Sequence, residues 1–129
     1  MAISVMLGYD DMVTHKAALD GKDIHLCVDV YADANGQLAF DKDKLPQGLK
    51  KLYFQNTHQD VTMIGDDFLS HCNNLTHVDL SGLTNLTTIG GGFFPRCTGL
   101  KEIKVLKDKR ALIERGVNYW GRGKIVEVK

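Results

Sequence analysis

The sequence predicts an α/β solenoid, a stack of short coils with a parallel β-sheet on its concave face and short helical segments on its convex face. Three observations lead to this fold class. A motif recurs about every 25 residues, apolar residues alternate within each copy, and the segments at both ends can cap the stack. Repeats with such a period are typical of solenoids, in which each coil contacts only its neighbours.

The repeat begins at Leu49 and starts again at Leu75 and Leu100. Five pairs of matching residues lie 25 positions apart: Ile64 and Ile89, Gly65 and Gly90, Phe68 and Phe93, Cys72 and Cys97, Leu75 and Leu100. Leu49 and Leu75 are 26 positions apart, so the first unit carries one extra residue within 55–60. So many coincident spacings indicate one structural unit, repeated.

Each unit opens with a short strand, because alternating apolar residues line one face of an extended chain. The residues predicted to point inward are Leu52, Phe54, Val78, Leu80, Ile103 and Val105. Farther along, Ile64, Phe68 and Cys72 follow at intervals of four, which predicts a short helical turn that covers the strands. Gly65 and Gly90 are predicted to relieve the steric cost of a sharp turn into that segment.

Residues 1–48 are predicted to form an N-terminal cap. Asp10 or Asp11 can cap a helix that continues to about Leu19, and Gly21 suits its end. Strict alternation over 24–30 predicts a strand, followed by a turn at 33–36 and a short strand over 37–40. Whether 26–28 form a degenerate repeat strand, 26 residues before Leu52, stays open.

Residues 106–129 are predicted to form the C-terminal cap. A helix is expected over 108–115, followed by Trp120 and a last hydrophobic strand over 125–128. The chain of 129 residues is accordingly one domain, 1–129, in which the repeats occupy 49–105 between the two caps.

The repeat pattern I-G-x-x-F-x-x-x-C-x-x-L-x-x-[I/V/L]-x-L resembles the BspA-type leucine-rich repeat of bacterial and some protist proteins. The match covers 49–105, and the tail is similar to the ending of such proteins. The resemblance implies a leucine-rich-repeat (LRR) stack and a protein-protein interaction module. It further implies a regulator or accessory of a bacterial effector-like protein.

Composition argues against several other functions. The chain has 16 basic and 16 acidic residues, whereas binders of nucleic acid or of membrane surfaces usually have a basic excess. No signal peptide and no membrane span are seen. Three cysteines cannot all pair within one chain, which favours reduced thiols. We expect a cytoplasmic protein, or one secreted by a system that is independent of signal peptides.

No residue is assigned a catalytic role, and neither a metal nor a small-molecule cofactor is expected. Cys72 and Cys97 occupy equivalent repeat positions, which indicates a structural role. Two alternatives stay open. A small enzyme could use Cys27 and His25, which are two apart on one predicted strand and therefore share a face. The chain could instead be a structural fragment of a larger repeat assembly.

A protein partner is expected on the concave face, where the strand residues that alternate with the core point outward. The predicted partner-binding residues are Lys51, Tyr53, His77, Asp79, Glu102 and Lys104. Both signs of charge are present, which suits a polar protein surface. Tyr53 is the predicted hot spot because tyrosine buries a large area at small entropic cost.

Overall fold

A computed structural model describes residues 3–22, 24–46, 48–66, 68–69, 74–90, 99–116 and 125–128. Its strands are β1 Ile3–Gly8, β2 Ile24–Asp29, β3 Lys51–Gln55, β4 Met63–Ile64, β5 His77–Gly82, β6 Thr88–Ile89, β7 Glu102–Leu106 and β8 Ile125–Val128. Its α-helices are α1 Tyr9–Thr14, α2 Lys16–Leu19 and α3 Arg110–Gly116, with 3₁₀ turns at Lys42–Lys44 and Lys107–Lys109. None of the helices in these ranges is long and apolar enough to cross a bilayer.

Six strands form one parallel sheet in the order β1-β2-β3-β5-β7-β8, and short helices accompany it, so the chain has an α/β fold. The strands of this sheet follow one another in sequence order, and the two strands left out, β4 and β6, pair with each other in a second sheet. Leu26 pairs with Leu52, Leu52 with Val78, and Val78 with Ile103. The predicted parallel sheet is therefore confirmed, and its register follows the 25- and 26-residue spacings.

The N-terminal segment contributes two strands to this sheet. The alternating residues of β2 form the predicted strand, and β2 pairs with β3 over the whole of Lys51–Gln55. β1 is a strand that the sequence analysis missed, and it pairs with β2 over six residues. Its sequence, ISVMLG, carries an exposed methionine at an outward position, so polar and apolar residues do not alternate.

The helical part of the N-terminal segment differs from the prediction in its start. The N-cap of α1 is Gly8, and Asp10 and Asp11 lie inside the first turn without capping it. At this position their negative carboxylates interact favourably with the positive end of the helix dipole. A turn at His15 separates α1 from α2. Gly21, at φ 77°, follows the end of α2 as predicted.

The segment that returns behind the sheet is partly a second sheet. Ile64 lies in β4, which pairs in parallel with β6, so the helical turn predicted to start at Ile64 is wrong at that residue. Gln37 adds an isolated parallel bridge to Met63, where a short strand was predicted. At Ile64, main-chain pairing between β4 and β6 takes the place of the predicted helical hydrogen bonds. Cys72, Phe93 and Cys97 lie outside the described residues.

The core lies on one face of the main sheet. The six residues predicted to point inward are all buried, from 0% to 4% exposed: Leu52, Phe54, Val78, Leu80, Ile103 and Val105. Apolar residues of the returning segments, including Val61, Leu69 and Leu86, pack in the same cluster. The predicted alternation is confirmed, and the returning segments cover the face that each short strand could not bury alone.

The turns that lead into the strands stack by a repeated hydrogen-bond pattern. The carbonyl of Lys50 accepts from the backbone N–H groups of Thr76 at 2.7 Å and His77 at 3.1 Å. At the turn before β7, the carbonyl of Thr76 accepts from Lys101 at 2.8 Å and Glu102 at 3.2 Å. Backbone groups at these turns are thus satisfied by the turn before the neighbouring strand, which transmits the register from strand to strand.

The described part of the C-terminal segment contains the predicted helix and strand. The predicted helix over 108–115 is present as the 3₁₀ turn Lys107–Lys109 followed directly by α3, and the predicted strand over 125–128 is β8. Ile113 of α3 is 1% exposed in the common core. β8 pairs with β7 and continues the sheet beyond the repeats. Trp120 lies outside the described residues.

Asn56 is a buried polar residue that the sequence analysis did not single out. Its side-chain amide donates to the carbonyl of Val30 and to Asp60 Oδ1, both at 2.9 Å, and its Oδ1 accepts from the N–H of Val61 at 2.9 Å. These three bonds join the end of β3 to the preceding coil and to the following turn. No local sequence pattern distinguishes this asparagine from one in an exposed turn.

We predict that Asn56→Ala lowers the free energy of unfolding by about 1–3 kcal/mol, because buried backbone groups lose their partners. Asn85→Ala is the matched control. Asn85 also bonds to the preceding coil, from Nδ2 to the carbonyl of Gln59 at 2.8 Å, but in an exposed turn. The control should cost under about 0.5 kcal/mol. Urea denaturation followed by circular dichroism measures both, and equal losses would contradict the role given to Asn56.

Close backbone approach explains several glycines in the stack. A Cβ at Gly82 would overlap the carbonyl oxygen of Phe54 and lie 3.1 Å from Gln55 Cα. A Cβ at Gly90 would lie 2.7 Å from the backbone nitrogen of Asp66. Among the described residues Gly65 and Gly90 do not have positive φ. At Gly90 the close approach of the Asp66 main chain replaces the predicted reason, a sharp turn, whereas the atoms nearest a Cβ at Gly65 belong to the flexible side chain of Gln37.

We predict that Gly82→Ala destabilises the protein by about 1–3 kcal/mol, because the clash is with main chain that cannot move independently. In Gly8→Ala the new Cβ would lie 3.8 Å from its nearest neighbour, Asp11 Oδ2. That control should cost less than about 1 kcal/mol even though Gly8 is an N-cap. Thermal and urea unfolding measure the stability of both variants. If Gly82→Ala is as stable as wild type, the main chain at Phe54 and Gln55 can move aside, and the prediction is wrong.

Candidate interaction face

The polar face is defined here by six residues on the side of the main sheet opposite the core: Lys51, Tyr53, His77, Asp79, Glu102 and Lys104. All six are partly exposed, between the buried residues of β3, β5 and β7. These are the residues that the sequence analysis singled out. The structure brings them together on three adjacent strands.

Strand register arranges the polar face in two rows. Lys51, His77 and Glu102 are register partners in one row. Tyr53, Asp79 and Lys104 are partners in the other. Because directly paired residues on one side of a sheet are neighbours, each row is a continuous line of side chains. The rows present two lysine ammonium groups, an imidazole, a phenol ring and two carboxylates on three strands.

The rows continue onto residues that were not predicted as part of the site. Cys27 of β2 pairs with Tyr53, and Met6 of β1 pairs with Cys27. At the other end Val126 of β8 pairs with Lys104. Met6 and Val126 are exposed to 65% and 43%, so an apolar side chain flanks the polar face at each edge. Their place depends on the pairing of the end strands, which the repeat pattern does not include.

Glu102 lies between His77 and Lys104. Its Oε2 is 3.7 Å from His77 Nε2, and its Oε1 is 3.8 Å from Lys104 Nζ. The other ring nitrogen of His77 is 2.8 Å from Thr76 Oγ1. Partly exposed ion pairs at such distances add little stability. They do restrict the orientations of the Glu102, His77 and Lys104 side chains.

Asp79 is held by its own strand. Its Oδ1 accepts from the backbone N–H of Ser81 at 2.8 Å and from Ser81 Oγ at 2.5 Å. The carboxylate is therefore oriented on the polar face beside Tyr53, its register partner. A fixed carboxylate and a neighbouring phenol provide an acceptor and a donor at set positions.

The surroundings of His77 lower the pKa of its imidazole. Burial lowers its pKa from the ordinary value of 6.5, and the positive charge of Lys51 lowers it further, while Glu102 acts in the opposite direction. Lys101 and Lys104 also lower it. At neutral pH the imidazole is therefore uncharged, and it can accept as well as donate a hydrogen bond.

The Cys27 thiol is poorly suited to nucleophilic catalysis. Burial raises its pKa, and Asp29 and Asp79 raise it further. Its Sγ donates to Gln55 Oε1 at 3.6 Å. A reactive cysteine needs a lowered pKa and a positive environment. His25 and Cys27 do lie on one side of β2, as the alternation predicted, yet the local charges oppose thiolate formation.

The polar face is nearly flat. The depression bounded by Tyr53, His77, Asp79, Glu102 and Lys104 has a volume of about 20 Å³, whereas small-molecule sites commonly enclose about 300–1,000 Å³. Groups of three or more metal-ligating residues are absent from the described part of the chain. The geometry suits contact with another surface better than enclosure of a small ligand.

We predict that His77 makes stability depend on pH near neutrality. Because its pKa is lower in the folded chain than the value of 6.5, the unfolded chain binds its proton more tightly. Stability is complete above the unfolded pKa and decreases as the pH falls below it. Wild type should lose more free energy of unfolding between pH 7.5 and pH 5.5 than His77→Gln. His58→Gln, at an exposed turn residue, controls for loss of a histidine; identical losses in wild type and His77→Gln would contradict the prediction.

Comparisons with known proteins identified no relative of this chain. The chain matches no protein-family model, and neither the curated proteins nor the solved structures that were searched gave a match. The resemblance to BspA-type repeats is therefore supported only by the residues that suggested it. Assignment of a function rests on the contacts and chemistry of the polar face.

Proposed function

We propose that this chain is a protein-binding module whose polar face contacts a protein partner. One observation carries the proposal: strand register aligns the six outward residues of β3, β5 and β7 into two unbroken rows on the face opposite the core. Extended rows of side chains on a parallel sheet are the surface that repeat proteins use for recognition. On this proposal the chain is not an enzyme.

We also propose that the fold is a leucine-rich-repeat solenoid. The supporting observations are the register steps of 26, 26 and 25 residues from Leu26 through Leu52 and Val78 to Ile103. The carbonyls of Lys50 and Thr76 repeat the same bonding one coil apart. The convex side is then built from turns and the pairing of β4 with β6, alongside short helices at the two ends.

The chemistry of the face favours a polar protein surface as the partner. Lys51 and Lys104 can meet carboxylates, Asp79 can meet a cation or an N–H donor, and Tyr53 adds aromatic area. Balanced charges on the face make a polyanion such as nucleic acid a poor match. On the family resemblance, we propose a bacterial effector-like protein as the kind of partner that this module would regulate or assist.

The enzymatic alternative has less support. The environment of Cys27 raises the pKa of its thiol, which reduces the thiolate available for attack. The thiol also donates to Gln55 and not to His25. No observation in the described residues favours this second function over binding.

We predict that a fourfold variant, Tyr53→Ala, His77→Ala, Asp79→Ala and Glu102→Ala, binds its partner at least about tenfold more weakly, a change that corresponds to roughly 1.4 kcal/mol. The test captures partners from a lysate of the source cells and measures the affinity of each captured protein. The control variant changes four exposed residues outside the sheet to alanine: Asn35, Lys44, Thr84 and Asp108.

Circular dichroism first establishes that both variants retain the wild-type fold. A partner that binds wild type and the control but not the fourfold variant supports the proposed face. Equal affinity of all three proteins would place binding elsewhere on the chain. If purified wild type retains no protein under conditions in which its stability is verified, the proposed function is wrong.

A further inference from the structure

The two edge strands of the main sheet differ in how they are protected. β1 and β8 each have one strand neighbour in the part of the chain that the structure describes. An edge strand presents unpaired N–H and C=O groups, to which another strand can add. Proteins usually protect such edges with charges, bulges or short strand length. Any difference between the edges therefore indicates which of them is open to a partner.

The β8 edge carries two of these protective features. It spans four residues in the described part of the chain, and Glu127 pairs in register with the buried Val105, so this carboxylate stands on the core side of the sheet. Arg110 binds it, with Nη1 3.3 Å from Glu127 Oε1, while Arg110 Nε is 2.8 Å from Glu114 Oε1. A strand that added here would have to cover this charged group.

The β1 edge lacks such features. Its six residues, ISVMLG, carry no charge and no proline, and its register with β2 is continuous from Ile3 to Gly8. Val5 and Leu7 are only half-buried, although their register partners Leu26 and Val28 are fully buried. Met6 is 65% exposed on the opposite side. Apolar side chains are thus available on both sides of a strand that, among the described residues, pairs with β2 alone.

We propose that β1 pairs with β1 of a second copy, in antiparallel orientation about a twofold axis perpendicular to the sheet. Such an axis keeps the core sides of both sheets together, and an isologous contact needs a self-complementary strand. With the axis at Met6, Val5 of one copy faces Leu7 of the other, Ser4 faces Gly8, and the two Met6 side chains meet. A slip of one residue would set apolar residues against the polar side, so the register is restricted.

The charges near β1 favour the antiparallel arrangement. Asp10 and Asp11 follow β1 directly, in the first turn of α1. In the twofold dimer the two α1 helices lie at opposite ends of the paired strands, about 20 Å apart at 3.4 Å per residue. That distance exceeds the screening length of about 8 Å at physiological salt. The net formal charge of zero adds no general repulsion between copies.

A head-to-tail stack of copies is a poorer solution. It would place β8 of one copy beside β1 of the next and bring the Glu127 pair with Arg110 against Val5 and Leu7. Burial of a charged pair against apolar residues costs desolvation that the pair seldom recovers. The polar face is not used in the twofold contact, so the dimer would carry two polar faces side by side.

Sedimentation-velocity and light-scattering measurements on the full chain, from about 1 to 200 µM, test this proposal by a charge-swap design. Wild type should sediment as a dimer at the higher concentrations. Met6→Lys alone and Met6→Glu alone should be monomeric, because like charges then meet at the axis. An equimolar mixture of the two variants should recover the dimer. Val126→Lys, an exposed position at the β8 edge, is the matched control and should leave the dimer intact.

The result is decisive because Met6 is exposed and its replacement leaves the core unchanged, as circular dichroism can verify for each variant. A wild type that stays monomeric throughout the range overturns the proposal. So does a dimer that Met6→Lys leaves intact, or one that Val126→Lys abolishes, which would indicate head-to-tail contact. Recovery of the dimer only in the mixture of oppositely charged variants identifies the twofold contact at β1.

Discussion

Parallel pairing of very short strands over a shared apolar core is the constraint on which this structure depends. A strand of five or six residues buries too little surface to persist alone. Here every strand of the main sheet gains a neighbour within 26 residues of sequence, and apolar residues on the core side of the sheet join a single cluster. The connecting segments must return behind the sheet at nearly constant length. That requirement produces the pairing of β4 with β6 and the stacked turns at Lys50 and Thr76.

The polar face follows from the same constraint. Once Leu52, Val78 and Ile103 are fixed in the core, alternation requires the residues beside them to point outward, and register aligns them in rows. Their polar character is therefore not needed for the core, so it is available for recognition. The restraint of Glu102 by His77 and Lys104, and of Asp79 by Ser81, orients the side chains of that surface.

Connections between coils impose local requirements that no single repeat reveals. Asn56 satisfies the carbonyl of the preceding coil from a buried position, and Gly82 admits the main chain of Phe54 where a side chain would clash. The ends of the sheet impose a different requirement, since an edge must be either protected or paired. β8 is protected by Glu127 and its arginine partner, whereas β1 combines an uncharged sequence with an exposed methionine.

The sequence by itself determined the 25-residue spacing, the alternation that separates core from polar face, the strand at 24–29 and the C-terminal helix and strand. These features arise from local periodicity, which each segment carries independently of the others. Only the tertiary structure decided that 3–8 form an edge strand, that Ile64 belongs to β4 and that Gly90 is required by contact with Asp66. Each of these features depends on which other segment packs against the residue. Strand pairing and close backbone contact involve two segments that are distant in sequence, so neither segment alone predicts them.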